Sequence, residues 1–319
     1  MSAAAPVLEV SGLEKRYALR GTSATVRALD GISLTLAPGE TLGLVGESGS
    51  GKSTAARCIV GLVEPSAGTI RVAGKEVTDA SAADLREARR HMQMVFQDPY
   101  SSLDPRMSAG DIVAEPLVGY GIGSRAERRE RTLDLFASVG LRREDMEKYP
   151  HQFSGGQRQR LGIARALALG PELVVCDEPV SALDVSVQAQ VINLLIDLQE
   201  ARGLSYLFVA HDLGVVEEIS HRVAVLYLGR IVEEAPRAAL FASPQHPYTE
   251  ALLDAVPRLD PDGPVARRRL AGEIPSAVNP PSGCAFHTRC PYAEARCRAE
   301  TPALREIAPG HRVACHLRG

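Results

Sequence analysis

Gly46 to Thr54 reads GESGSGKST, and it fits the template Gly-x-x-x-x-Gly-Lys-Ser with Gly46, Gly51, Lys52 and Ser53 in the fixed places. Before it, Thr41 to Val45 (TLGLV) has the composition of a short buried strand; after it, Ser53 to Val63 (STAARCIVGLV) has helical spacing. Strand, glycine loop and helix in that order make a phosphate cradle. The glycines Gly46, Gly49 and Gly51, with Ser48 and Ser50 between them, let the backbone curl with its N–H groups inward. The helix that opens at Ser53-Thr54 adds the positive end of its dipole. Lys52 is placed to reach the β- and γ-phosphates and the Ser53 hydroxyl to ligate Mg²⁺, so the stretch reads as a nucleoside triphosphate site.

Outward from this loop the chain alternates strand and helix patterns. Val7–Leu13 and Val26–Leu36 alternate as strands, and Gly68–Val72 before Gly74 suggests a hairpin edge, which predicts a small antiparallel sheet. Residues 79–90 begin with helix-start chemistry, Met92–Gln97 is a short apolar run, and the prolines and serines of 98–107 (DPYSSLDPRM) mark a loop. Helical patterns follow from Ser108 to about Tyr149 and from Gln157 to Leu169, the latter stopped by Gly170-Pro171. Leu173–Cys176 and Leu204–Ala210 are apolar strands around the amphipathic helix Ser186–Arg202, with Val187, Val191, Leu194, Leu195 and Leu198 on one face. Arg222–Leu228 is a further strand, turning at Gly229. Such alternation predicts an α/β fold with a mostly parallel core sheet covered on both faces. Beyond about Ala235 proline becomes frequent and periodicity fades. The expected organisation is one nucleotide-binding domain over residues 1–240, with a helical part at about 98–170, and a small loop-rich extension over 241–319.

The bulk numbers narrow the field. The chain has 319 residues, 45% apolar and 24% charged, enough for a full core and an ordinary globular domain. A net charge of −3 argues against nucleic acid as a partner, and the basic runs Arg125–Arg131 and Arg267–Arg269 read as solvated faces. No apolar run approaches the ~18 residues of a membrane span. The first ten residues lack the pattern of a signal peptide, so a cytosolic protein with reduced thiols is expected.

Two segments carry further chemistry. Asp177 and Glu178 follow the apolar strand LVVC, at the strand end where open α/β sheets bind ligands. Neighbouring acids on an extended segment point to opposite sides, so Asp177 can hold Mg²⁺ while Glu178 polarises a water for attack on the γ-phosphate. His151 to Arg160 reads HQFSGGQRQR, in which Ser154 and Gln157 form a capping-box pattern. Capping alone does not account for Gly155 and Gly156, poor helix formers in a first turn; a backbone that approaches a phosphate does.

Together these residues resemble the ATP-binding cassette ATPases. FSGGQ (Phe153–Gln157) matches the family signature, with Phe153 where leucine is commoner, and the resemblance implies that Ser154, Gly155, Gly156 and Gln157 bind an ATP held by the phosphate loop of a second subunit. It further implies that Gln97 senses Mg²⁺ and the attacking water, that Ser181 to Asp184 cross the dimer interface, that His211 contacts the γ-phosphate, and that adenine stacks on Tyr17. The stretches VFQDPYSSLDPRM, CDEPVSALDVSVQAQVINLL and HPYT (His246–Thr249) look like the oligopeptide, dipeptide and nickel importer branch, which carries a C-terminal extension. That branch implies a peripheral ATPase on the cytoplasmic side of the inner membrane, paired with a second ATPase subunit, a copy of itself or a paralogue. Two membrane permeases and, indirectly, an extracytoplasmic binding protein would complete it, with di- or oligopeptide, nickel or another small solute as cargo. A DNA-repair or chromosome ATPase would need long coiled coils between Lys52 and Ser154, and a GTPase an Asn/Thr-Lys-x-Asp motif; both are absent from the sequence.

Cys58 and Cys176 read as core residues, whereas Cys284, Cys290, Cys297 and Cys315 crowd the C-terminal end with spacing C-x5-C-x6-C-x17-C. Paired C-x2-C zinc knuckles are missing. Four thiolates can hold a [4Fe–4S] cluster, as related transport ATPases look to do, with Zn²⁺ or no metal as alternatives. His287, His311 and His316 are expected to be exposed polar residues rather than substitute ligands.

Overall fold

A computed structural model describes residues 5–19, 21–255 and 272–318. The Arg267–Arg269 run lies outside the described residues.

The chain begins with β1 (Leu8–Ala18) and β2 (Thr25–Leu36), whose alternating side chains bury Leu8, Val10, Leu13, Leu29, Ile32, Leu34 and Leu36. β3 (Thr41–Val45) is buried at every position, as its unbroken apolar run requires, and leads through the glycine loop into α1 (Lys52–Ile59). β4 (Ala67–Val72) and β5 (Lys75–Glu76) form the expected hairpin, with Arg71 opposite Glu76. Ser81 caps α2 (Ala82–His91), and β6 (Met92–Val95) follows directly. The helical stretch contains α3 (Ala109–Gly119), capped by Ser108, and α4 (Arg125–Ser138), which opens on a reciprocal Ser124–Glu127 capping box. Two short 3-10 turns, Arg143–Glu147 and Pro150–Gln152, deliver the chain to α5 (Gly155–Leu167). Then come β7 (Leu173–Asp177), α6 (Val185–Arg202), β8 (Ser205–Ala210), α7 (Leu213–Ile219), β9 (Arg222–Tyr227) and β10 (Arg230–Pro236). The remainder holds α8 (Arg237–Ala242), α9 (Pro247–Asp254), α10 (Ala295–Ala299), β11 (Arg305–Ala308) and β12 (His311–Val313).

These elements form two compact units. The first comprises residues to Leu8, Leu36–Glu40 and Arg71–Val209; the second comprises Glu9–Thr35, Thr41–Ile70 and the chain from Ala210 on.

In the first unit β6, β7 and β8 run parallel, pairing Val95 with Cys176 and Asp177 with Val209. Of the stripe predicted on α6, Val191, Leu194, Leu195 and Leu198 are buried, each removal from water contributing about 1.5–3 kcal/mol, while Val187 in the first turn is half-buried. Helices α3, α4 and α5 pack on one another and bury Ile112, Val113, Leu117, Leu135, Phe136, Leu161 and Ile163.

In the second unit β3 pairs parallel with β9 from Leu42–Arg222 to Val45–Val225. β9 turns at Leu228-Gly229 into antiparallel β10. β12, far along the chain, adds to the other edge of β10, with Glu233 opposite Val313 and Glu234 opposite Arg312, and β11 pairs with β12. The proline-rich extension thus contributes strands to a core sheet, which its fading periodicity did not reveal. His311 is also not the exposed residue its polarity suggested. It is 6% exposed, and its Nε2 lies 2.7 Å from the fully buried Glu233 Oε1.

Among the described residues no helix is long and apolar enough to cross a membrane.

Candidate functional site

The glycine loop occupies the turn between β3 and α1 in the second unit. Gly51, at φ +111°, forms the N-cap of α1, and a Cβ there would sit 2.3 Å from the Ala28 carbonyl oxygen, so no other residue fits. With glycine at the cap, no cap side chain covers the amides of the first turn, the arrangement that suits an anion. Lys52 is 4% exposed, and its Nζ donates to the Gly46 carbonyl at 2.7 Å and the Glu47 carbonyl at 3.1 Å. Ser50 N–H also donates to the Glu47 carbonyl, at 3.1 Å, and the Ser50 carbonyl accepts from Gly229 N–H at 2.8 Å. Ser48 and Gly49 face solvent at the tip, and Ser53 and Thr54 are half-buried in the first turn of α1.

Three contacts at Glu47 come from residues that sequence reasoning missed. The Glu47 N–H donates to the Tyr248 hydroxyl at 2.8 Å. Its carboxylate takes both arms of the Arg289 guanidinium, at 2.6 and 3.0 Å. Tyr248 lies within the HPYT stretch, which gives the tyrosine no role of its own, and nothing local sets Arg289 apart from the chain's other basic residues.

Tyr17, at the end of β1, is 39% exposed, and Lys15 Nζ stands 5.0 Å from its ring centroid. His211 follows β8 and is exposed. Next to it Asp212 caps α7 through the Gly214 N–H, at 2.8 Å.

In the first unit β7 carries Asp177 to its C-terminal end, 2% exposed. Glu178 departs from the extended geometry expected of it. Its φ is +48°, in the left-handed region, while its N–H still reaches the Val209 carbonyl at 2.9 Å. The turn after it is closed by Ser181, whose N–H and hydroxyl donate to the Glu178 carbonyl at 3.3 and 3.1 Å. Gln97, just past β6, donates from Nε2 to Glu178 Oε2 at 2.9 Å, so two residues singled out for chemistry meet. Asp184 caps α6 through the Val187 N–H, and hydrogen bonds from Ser186 and that amide hold its carboxyl below the usual range.

The Ser-Gly-Gly-Gln segment opens α5. Both halves of its capping box are made: Ser154 Oγ accepts from Gln157 N–H at 3.3 Å, and Gln157 Oε1 accepts from Ser154 N–H at 3.0 Å. Gly156 has a steric cause that the sequence could not disclose, since a Cβ there would lie 2.5 Å from Val187 Cγ1 of α6. Ser154, Gly155 and Gln157 are exposed, so the amide end of α5 faces solvent.

Cys58 and Cys176 are fully buried, as expected of core residues. Burial pushes Cys58 up to about 11 and raises Cys176 further, which marks both as inert core residues. Cys284, Cys290, Cys297 and Cys315 sit in the second unit near enough for each other's charge to matter, and burial first, then that charge, raises Cys284 to about 11. The Cys284 N–H donates to the Cys297 carbonyl at 2.8 Å, and the Leu317 N–H points at Cys315 Sγ at 3.4 Å. The amides of Phe286 and Tyr292 bond Cys284 and Cys290 in the same way, two residues on. Among the described residues no group of three or more His, Cys, Asp or Glu is set to hold one metal ion. His287 and His316 are half-buried rather than exposed, and His287 Nδ1 and His316 Nε2 lie 2.9 Å from the Cys284 and Glu300 carbonyls.

Comparison with known proteins agrees with these motifs. The ABC transporter family model matches residues 29–181, and the model of the oligopeptide/dipeptide transporter C-terminal region matches 232–297. A peptide import ATP-binding protein of Brucella ovis is 56% identical over 310 residues, covering 97% of both chains. The oligopeptide transport ATP-binding protein AppF of Bacillus subtilis is 50% identical over 319 residues, covering 98% of this chain and 97% of its own. Among solved structures, the dimeric post-hydrolysis state of the ATP-binding cassette MJ0796 bound to ADP and Pi is 31% identical. It superposes with a TM-score of 0.65 over 72% of this chain and 98% of its own.

Proposed function

The chain belongs to the ATP-binding cassette ATPases, and we propose that it is the ATP-hydrolysing, energy-coupling subunit of an importer of di- or oligopeptides. The Gln97–Glu178 hydrogen bond at the end of β7 carries the catalytic part of this reading, because it fixes a carboxylate where a water can be oriented and deprotonated. The relatives' peptide-import names, and the C-terminal model that matches 232–297, support the cargo class.

In this reading the amides of Gly46–Thr54 and the Lys52 ammonium hold the phosphates of ATP, and adenine stacks on the exposed Tyr17 ring. Ser53, Gln97 and Asp177 are the residues that would hold Mg²⁺; a hydroxyl, an amide oxygen and a carboxylate are the hard oxygen donors this ion prefers. Bound there, the ion neutralises charge building up on the phosphates. Glu178 takes the proton of the attacking water, Gln97 orients the glutamate, and His211 contacts the γ-phosphate. Ser154 to Gln157 of a second ATPase subunit, a copy or a paralogue, bind the same γ-phosphate, with Ser181 and Asp184 lining the junction. Charge-assisted hydrogen bonds of about 1.5–3 kcal/mol each favour the closed pair while ATP is whole, and hydrolysis releases it. Two permeases in the inner membrane receive that motion, the ATPases lying peripherally on the cytoplasmic side, and a binding protein delivers cargo outside.

Cys284, Cys290, Cys297 and Cys315 are the proposed ligands of a [4Fe–4S] cluster. Thiols that accept backbone amides two residues on suit thiolate ligation; Zn²⁺ is the alternative occupant of the same thiols. Anaerobically purified protein should be brown and contain about four irons per chain; colourless, iron-free protein contradicts the assignment.

The test of the main reading is peptide uptake by vesicles carrying the permeases, the binding protein and this ATPase. Uptake should require ATP and vanish with Glu178→Gln; ATP-driven uptake that survives the substitution overturns it.

A further inference from the structure

We propose that Arg289 and Tyr248 are positioning residues for ATP, acting on the phosphate loop through Glu47. The proposal rests on the reading of Gly46–Thr54 as the ATP cradle and extends that site into the C-terminal part of the chain.

Glu47 is the node of the loop. Its carbonyl accepts from Ser50 N–H and Lys52 Nζ, its N–H donates to the Tyr248 hydroxyl, and its carboxylate is forked by Arg289. The first two bonds are local, whereas Tyr248 and Arg289 lie 201 and 242 residues away. Both distant partners are buried. Tyr248 is fully buried, its ring centroid 4.6 Å from that of Tyr227 and 5.4 Å from that of Phe286. Arg289 has a side chain 4% exposed, with its guanidinium 5.9 Å from the centroids of both Tyr227 and Phe286. Its own N–H donates to the Phe286 carbonyl at 3.0 Å.

A glycine loop is costly to order, about 1–2 kcal/mol for each residue fixed. Clamping Glu47 from outside removes part of that cost before ATP arrives, so the gain appears as nucleotide affinity. The bond from the Glu47 amide to Tyr248 also fixes the peptide plane between Gly46 and Glu47, and with it the Gly46 carbonyl that holds Lys52 Nζ. A buried ion pair adds little net stability over an apolar pair of similar volume, whereas its forked geometry fixes direction. The clamp therefore acts on loop geometry and leaves the hydrolytic groups Gln97 and Glu178 untouched.

The experiment compares the purified full-length chain with Arg289→Met, Arg289→Lys, Tyr248→Phe and Lys52→Ala, reading MgATP affinity, KM and kcat of hydrolysis, and melting temperature without nucleotide. Arg289→Met should raise Kd and KM for ATP about tenfold with kcat within about twofold. Arg289→Lys, which keeps the charge but not the fork, should recover part of the loss. Tyr248→Phe, which removes one oxygen and nothing else, should raise KM about threefold, and it decides the matter if Arg289→Met does not fold. Lower melting temperatures with an unchanged KM in Arg289→Met and Tyr248→Phe overturn the proposal. If Lys52→Ala binds ATP as tightly as the parent chain, the cradle reading fails and the proposal with it; if Lys52→Ala loses ATP while the other variants keep their KM, the proposal fails alone.

Discussion

Gln97 holds Glu178 by a 2.9 Å hydrogen bond while the glutamate backbone sits at φ +48°, a conformation that costs a residue with a Cβ about 1–2 kcal/mol. The cost is met by three backbone-directed bonds: Glu178 N–H to Val209, and Ser181 N–H and Oγ to the Glu178 carbonyl. Strained backbone of this kind clusters at functional sites, which agrees with the role proposed for this glutamate.

Glu178→Gln should lower steady-state ATP hydrolysis about a hundredfold or more while leaving MgATP binding in place. Gln97→Ala should lower kcat about tenfold or more, since the glutamate keeps its charge but loses its guide. Rapid-quench hydrolysis assays beside equilibrium nucleotide binding check both. Retained turnover in Glu178→Gln would remove this glutamate from the chemistry.

Gly156→Ala should cost about 1–3 kcal/mol of stability, because the added methyl meets Val187 Cγ1 at 2.5 Å. Adding Val187→Ala makes room, so the double variant should regain part of that loss in urea denaturation. If the signature turn also serves ATP, hydrolysis should remain depressed in the stability-rescued double variant. Full recovery of turnover would leave Gly156 with packing alone.

Acid should weaken the fold through His246. Burial pushes its imidazole down from 6.5 to about 3, and its Nδ1 accepts the Tyr248 N–H at 3.1 Å, which a protonated ring cannot do. The unfolded chain takes up the proton below 6.5 and the folded chain does not until about 3, so stability is whole above 6.5 and falls as the pH drops through that window. At roughly 1.4 kcal/mol per unit, going from neutrality to pH 5 should remove about 2 kcal/mol. Glu233, which accepts the His246 backbone N–H, and His311, which bonds Glu233, are the ionisable neighbours, so the readout is the difference between the parent and His246→Asn. The variant should show the shallower slope in urea midpoints against pH; equal slopes refute the assignment.

His311→Phe should destabilise the chain by about 3 kcal/mol, because Glu233, fully buried, keeps the Gln245 and His246 amides but loses its imidazole. Adding Glu233→Gln removes the stranded charge and should recover part of the loss. Urea denaturation of the two variants checks the order.

Much of this molecule is written in local pattern. The unbroken apolar run of β3, the fixed glycines after it and the 3.6-residue stripe of α6 each express a rule that acts within a dozen residues, and each is found where the spacing put it. Gln97 and Glu178 were visible as types, from a run ending in glutamine and a strand ending in acids, but their bond depends on the register of β6 against β7. What stayed hidden is non-local. β12 is three residues, HRV, too short for an alternation signal, and its place follows from the edge of β10 and the charges of Glu233 and Glu234. The left-handed turn at Glu178 carries no glycine to announce it. The Arg289 fork on Glu47 joins residues 242 apart in the chain, and no composition or spacing rule reaches that far.

The most direct measurement is the mass in solution of the Glu178→Gln chain with and without MgATP, alone and with a paralogous ATPase subunit as the proposed partner. A pair that forms on adding ATP, and fails to form when Lys52→Ala or Ser154→Arg is added, is the predicted result. Single chains at saturating ATP, with the partner present, would contradict the account.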